Sequence, residues 1–156
     1  MKLGTLKKLI KEEILKEIRV QSNNLISVSP DAKRVEHQHL IDLFDGIMSN
    51  NKHLNGVVGF IDLGKNVDMY MRTLVGISDR DKEELSEMPI LIMEKGPHEI
   101  LIGFEDYFGN LFYHLSFVKN GQIDNNVDLY NAEGSARDLI QTPLIPSYLE
   151  TGEAGF

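Results

Sequence analysis

The chain of 156 residues contains no cysteine. Disulfides, thiolate zinc sites and cysteine nucleophiles are therefore excluded, and zinc could be held only by histidine and carboxylates. No apolar run approaches the roughly 18 residues needed to cross a bilayer, and the N-terminal segment is too evenly charged to be a signal peptide. The sequence has no Walker-type phosphate loop, no dinucleotide-binding glycine fingerprint and no G-x-S-x-G nucleophile elbow. A cytoplasmic protein without a cofactor is the expectation that remains.

What the chain does have is a charge asymmetry. Lys2, Lys7, Lys8, Lys11, Lys16 and Arg19 stand against Glu12, Glu13 and Glu17 over residues 1–20, a balance of +3, so the remainder carries −11 of the net −8. Leu6, Ile10, Ile14 and Ile18 follow at i+4, widened by Leu3, Leu9 and Leu15, and lysines fill the opposite side; this is helix period, with Thr5 as N-cap. An exposed aliphatic stripe of that size must bury against something. Either it packs on the sheet of its own domain, or it docks on a neighbouring chain through Leu6, Ile10, Ile14 and Ile18. The intermixed acids and the lack of aromatic anchors argue against membrane and direct nucleic-acid contact, as does an acidic body with a pI near 5.1.

A hydrophobic content of 42% over this length supports one domain with a real core. Residues 21–29 read as a linker or short edge strand. Ser29-Pro30-Asp31 then opens a helix whose buried face is Val35, Leu40, Ile41, Leu43, Phe44, Ile47 and Met48, ending near Asn50. Val57 to Leu63, a Gly64-Lys65-Asn66 turn, and the alternation Val67, Met69, Met71, Thr73, Val75 predict a β-hairpin. Ser78 and Asp81 cap a short charged helix to about Met88, stopped by Pro89. Three strands follow over 90–93, 100–105 and 111–118, then a short helix near 133–141, after which Pro143 and Pro146 argue against regular structure.

The fold class is therefore α+β: a mainly antiparallel sheet of about five strands with two N-terminal helices and short peripheral helices. Residues 1–20 form a helical arm, 21–141 the domain and 142–156 a C-terminal tail ending in an exposed Phe156.

Gly59-Phe60-Ile61-Asp62 and Gly103-Phe104-Glu105-Asp106 echo one another, and two equivalent hairpins would bring Asp62 and Asp106 to one sheet edge. With Glu105 and His114 nearby in sequence, these carboxylates are the candidates for acid/base or divalent-metal chemistry. The competing reading is that both aspartates stabilise turns by accepting from backbone amides. Asp124, Asn126 and Asp128 open like a calcium loop, but Leu129 and Ser135 replace its glycine and glutamate, so no metal is assigned there. His37 and His39 are two residues apart and leave a helix on different faces, unlike an i,i+4 metal pair. His98 and Glu99 are placed in a hairpin turn, and Met69, Met71, Met88 and Met93 are read as core fillers.

The opening Lys2-Leu3 through Leu6, then Leu9-Ile10-Lys11-Glu12-Glu13-Ile14, resembles the start of many small proteins encoded by large tailed bacteriophages, virion components among them. The resemblance covers the first helix alone, implies an accessory or structural viral protein in the host cytoplasm or the virion, and transfers no catalytic residue. The leading expectation is thus a structural or interaction protein that docks on protein partners, or on itself, through the N-terminal helix and the C-terminal tail. A small metal-dependent hydrolase using Asp62, Glu105, Asp106 and His114 is the enzymatic alternative. The third alternative is an acidic inhibitor that mimics nucleic acid.

Overall fold

The computed structural model describes residues 19–21, 24–73, 78–107, 110–124, 130–133 and 136–153. The expected helical arm lies outside them up to Ile18, and so does Phe156. Arg19 and Val20, expected as the end of that helix, belong instead to a strand.

Among the described residues the sheet has eight strands. They are β1 (Arg19–Gln21), β2 (Asn24–Val28), β3 (Val58–Leu63), β4 (Pro89–Lys95), β5 (His98–Tyr107), β6 (Asn110–Lys119), β7 (Gln122–Ile123) and β8 (Tyr130–Glu133). The order is β1-β2-β3-β4-β5-β6-β7, and β8 also pairs with β6. All pairs are antiparallel except β2 with β3, where Leu25 to Val28 lie parallel to Val58 to Ile61. A parallel neighbour requires a crossover. It is supplied by helix α1 (Gln38–Asn50), so residues 24–28 are an interior strand rather than a linker or edge.

Alternation along the strands separates two faces. One carries Ile26, Val28, Ile61, Leu91, Met93, Ile100, Ile102, Tyr113, Leu115 and Phe117, all buried in the main core. Leu40, Leu43, Phe44, Ile47 and Met48 of α1 pack on it as their spacing predicts. Helix α1 starts later than the Ser29-Pro30-Asp31 signal implies. The Ser29 hydroxyl accepts from the Ala32 amide at 3.2 Å, but the turn it caps ends at Arg34 and Val35 is extended.

Two short helices complete this layer, α4 (Ala136–Gln141) and α5 (Leu144–Thr151). Helix α5 stands where Pro143 and Pro146 were expected to prevent regular structure, and residues 154–156 lie outside the described residues. Pro143 occupies the cap position and Pro146 the first turn, where the missing amide hydrogen has no helical partner to lose. Leu144, Ile145, Tyr148 and Leu149 are buried in the chain's own core. Gly152 ends the helix at φ 73°, its amide donating to the Tyr148 carbonyl at 2.8 Å.

The opposite face carries α2 (Asp68–Thr73) and α3 (Asp79–Ser86). Residues 68–73 were expected as a strand. Val67, Tyr70 and Met71 also fit helical spacing; Tyr70 is 1% exposed, and Asp68 and Arg72 form an i,i+4 ion pair of 2.7 Å. Helix α3 matches its sequence signal, Ser78 Oγ accepting from the Asp81 amide. Tyr70, Leu85, Ile90, Leu101 and Val118 form a second, smaller core, against which Met69, Met71 and Met88 pack.

Candidate functional site

Both sides of the sheet present a feature that could meet a ligand. On the main-core side, a cleft of about 480 Å³ opens where α1 begins, walled by Val35, Met88, Phe104 and Leu111, with Glu36 and Glu87 beside it. His39 forms its inner wall, its Nε2 2.5 Å from the Tyr113 hydroxyl. Burial lowers the His39 pKa more than Asp42 raises it, and burial pushes Tyr113 up to about 12. At neutral pH both are uncharged, and one hydrogen bond joins the Tyr113 hydroxyl to His39 Nε2. That nitrogen is already engaged, which makes His39 a satisfied wall residue. Glu87 is turned toward Lys65 at 3.6 Å.

The second feature lies on the other face, where α2 and α3 cover the sheet only in part. Three cross-strand rows define the surface. The first runs Leu25, Val58, Glu94, Glu99, Val118; the second Ser27, Phe60, Ile92, Leu101, Ser116; the third Asp62, Ile90, Gly103, His114. Tyr70 seats its hydroxyl directly over Gly103, where any Cβ would stand, so α2 sits on the third row. Among the described residues, no helix packs on this face toward β2 and β3. Leu25, Val58 and Phe60 are half-buried and belong to neither hydrophobic core of the described residues.

This apolar strip is flanked by two carboxylates placed opposite each other across β4 and β5, Glu94 and Glu99. Like charges in that relation cost stability. Burial, and then the neighbouring Glu94 charge, raise the Glu99 pKa above the ordinary carboxylate range. A like-charged pair thus stands beside half-buried apolar side chains.

The carboxylates singled out in the sequence are placed differently. Asp62 Oδ1 accepts from Ser29 Oγ at 2.8 Å, the Leu63 amide at 2.8 Å and Asn66 Nδ2 at 3.0 Å. That is a turn-stabilising role. Asp62 is level with Gly103, two strands away, so Asp106 lies three residues beyond the level of Asp62 and is not its equivalent. Two strand spacings separate their β-strands by about 10 Å, and His114 on β6 is about 14 Å across the sheet from Asp62. Glu105 and Asp106 are known by register alone, opposite Phe112 and Leu111. The register does not bring the four groups into one metal shell, and no cluster of three metal-ligating groups occurs among the described residues.

The remaining sequence candidates have structural partners. Asp124 Oδ2 accepts from the Tyr148 hydroxyl at 3.0 Å and lies 3.9 Å from Lys119 Nζ. Asn126 and Asp128 lie outside the described residues. His98 and Glu99 begin β5 instead of forming a turn, and His98 Nδ1 lies 3.0 Å from the Leu149 carbonyl, fastening α5. His37 Nδ1 meets the Val35 carbonyl at 2.9 Å. Acidic residues on α3 are interleaved with Arg80 and Lys82, and Glu84 pairs with Arg80 at 3.7 Å, unlike an unbroken acidic row. No helix among the described residues is long and apolar enough to cross a membrane. The Leu25–Phe60 strip was missed in the sequence because residues 21–29 were not read as an interior strand. Comparison with protein-family models, curated proteins and solved structures yields no match.

Proposed function

We propose that this is a structural or protein-interaction protein, whose N-terminal amphipathic segment docks through Leu6, Ile10, Ile14 and Ile18 on a protein partner while the α+β domain serves as the body. One observation carries this reading. The aliphatic stripe at Leu6, Ile10, Ile14 and Ile18, backed by lysines, is an apolar surface that needs a partner surface to bury against. Each of its four main aliphatic side chains would contribute about 1.5–3 kcal/mol on burial, before ordering costs. That suffices for an arm in a multivalent assembly. A component of a tailed-phage particle is the most concrete form of the reading, supported by the resemblance of the opening helix. Leu144, Ile145, Tyr148 and Leu149 of α5 are used internally.

The test is the unfolding stability of Ile10→Asp/Ile14→Asp, by urea titration at low protein concentration. A docking arm predicts a change below about 1 kcal/mol, as for surface substitutions. A loss of more than about 4 kcal/mol, as for charges introduced into a core, would make the segment part of the chain's own interior.

A further inference from the structure

We propose that the cleft at the start of α1 is a binding site for a small amphiphilic cation, a ligand with an aromatic or aliphatic body and one ammonium group. The site is separate from the docking role of the N-terminal segment and does not depend on it.

Topology fixes where the site lies. Strands β2 and β3 are parallel neighbours, and the chain leaves their carboxyl ends toward opposite faces of the sheet. From β2 it passes to α1 in the main core, and from β3 to α2 and α3 on the other side. Connections that part in this way leave a crevice beyond the carboxyl ends of the strands, the place where ligands bind in open α/β sheets. Both connections wall the cleft. Val35, Glu36 and His39 come from the segment that leaves β2 and from the first turn of α1, whereas Glu87 and Met88 close the segment that leaves β3. The Gly64 amide donates to the Met88 carbonyl at 2.9 Å and holds that second wall against the end of β3.

The lining selects the ligand. Val35, Met88, Phe104 and Leu111 offer an apolar seat, and a volume of about 480 Å³ falls in the range of small-molecule sites. The aromatic wall is set before a ligand arrives. Phe104 meets His39 edge-on with ring centroids 5.4 Å apart, and His39 lies against Tyr113 at 5.7 Å with the planes 27° apart. A ring held in this way presents its face to a cation without further ordering. Among the described residues that line the cleft, the charged groups at neutral pH are the Glu36 and Glu87 carboxylates, and none is lysine or arginine. His39 adds no positive charge, because burial keeps its pKa below the ordinary value. Glu87 lies 3.6 Å from Lys65, but their side chains are 64% and 47% exposed, so this is a weak surface pair that an ammonium can displace. An anion with the same body would meet two carboxylates and no cation in the lining, which rejects it.

The test titrates the full chain with 2-phenylethylammonium, with 3-phenylpropionate, which keeps the body and reverses the charge, and with ethylammonium, which keeps the head and lacks the ring. Binding is read at neutral pH and low salt from backbone amide shifts in two-dimensional NMR. The proposal predicts saturable shifts with 2-phenylethylammonium centred on Glu36, His39, Met88 and Phe104, and an affinity about fivefold or more above that of either other probe. Glu36→Gln/Glu87→Gln, at two exposed side chains, should keep the amide dispersion of the wild type and weaken 2-phenylethylammonium by about fivefold, without weakening 3-phenylpropionate. If 3-phenylpropionate binds as tightly as the cation, or the double variant binds the cation unchanged, the cleft does not select charge and the proposal is overturned. It is overturned equally if 2-phenylethylammonium gives no saturable shift, or shifts centred on other residues. None of these outcomes bears on the docking reading, which the Ile10→Asp/Ile14→Asp stability measurement decides separately.

Discussion

Substituting Gly103 by alanine should be among the more damaging single-methyl additions in this protein. An alanine Cβ would clash with the Tyr70 hydroxyl and lie 2.5 Å from Cζ and 2.7 Å from Cε2 of that ring. Tyr70 is 1% exposed and enclosed by Leu85, Ile90 and Leu101, so the ring has no free space into which to rotate. Relief must come from lifting α2 off the sheet. Overpacking of this kind costs about 1–3 kcal/mol. The upper end applies, because a ring and not a flexible chain end must move. For a domain of this length, about 3 kcal/mol lowers Tm by roughly 6–12 °C. Urea titrations of wild type, Gly103→Ala, Tyr70→Leu and the double variant measure both the cost and the coupling. The double variant should be less destabilised than the sum of the singles by more than about 1 kcal/mol. A Gly103→Ala protein within about 0.5 kcal/mol of wild type would refute the placement of Tyr70 over this row.

Other predictions follow from the remaining contacts. Glu99 has a raised pKa in the folded chain, so the folded state binds its proton more tightly than the unfolded state, and stability falls as pH rises from the ordinary carboxylate range through the raised value. Glu99→Gln should therefore be more stable than wild type at pH 7, with the advantage shrinking toward pH 4; an equal offset at both pH values would contradict the assigned cause. His39 has the opposite sign: its pKa is lowered, so stability is lost as pH falls from about 6.5 through the folded-state value. His39→Gln should remove that component from a pH series of thermal melts, and an unchanged slope would show that His39 is not its source. Leu149→Ala should cost about 2–4 kcal/mol, because α5 is part of the core and not a tail; a neutral result in urea titration would restore the docking-tail reading.

Local chemistry was legible in the sequence wherever it acted within one turn or one strand. The Ser78–Asp81 cap, the stop at Pro89, the buried face of α1 and the three strands around 90–118 all follow from short-range signals. The failures share a cause in tertiary context. Val67 to Thr73 alternates like a strand, yet burial of Tyr70 against Gly103 selects the helix. Pro143 and Pro146 look like breakers, but both fall in the cap and first turn, where proline is tolerated. Residues 24–28 are too short to announce a strand, and their order comes from pairing with β3 across a crossover of 29 residues. The same long-range pairing hid the candidate surface. Leu25, Val58, Phe60 and Glu94 share a face only because β2, β3 and β4 adopt that register. The Asp62–Asp106 pairing was suggested by matching tetrapeptides, and the register displaces the two motifs by three residues.

The most direct test of a docking role for the N-terminal segment is the native mass of the full-length chain by sedimentation equilibrium over a hundredfold range of concentration, beside Ile10→Asp/Ile14→Asp. The account predicts concentration-dependent assembly of the wild type, weakened by added salt, and a monomeric variant with unchanged circular dichroism. A wild-type chain that stays monomeric across the whole range, or a variant that loses its fold, would contradict it.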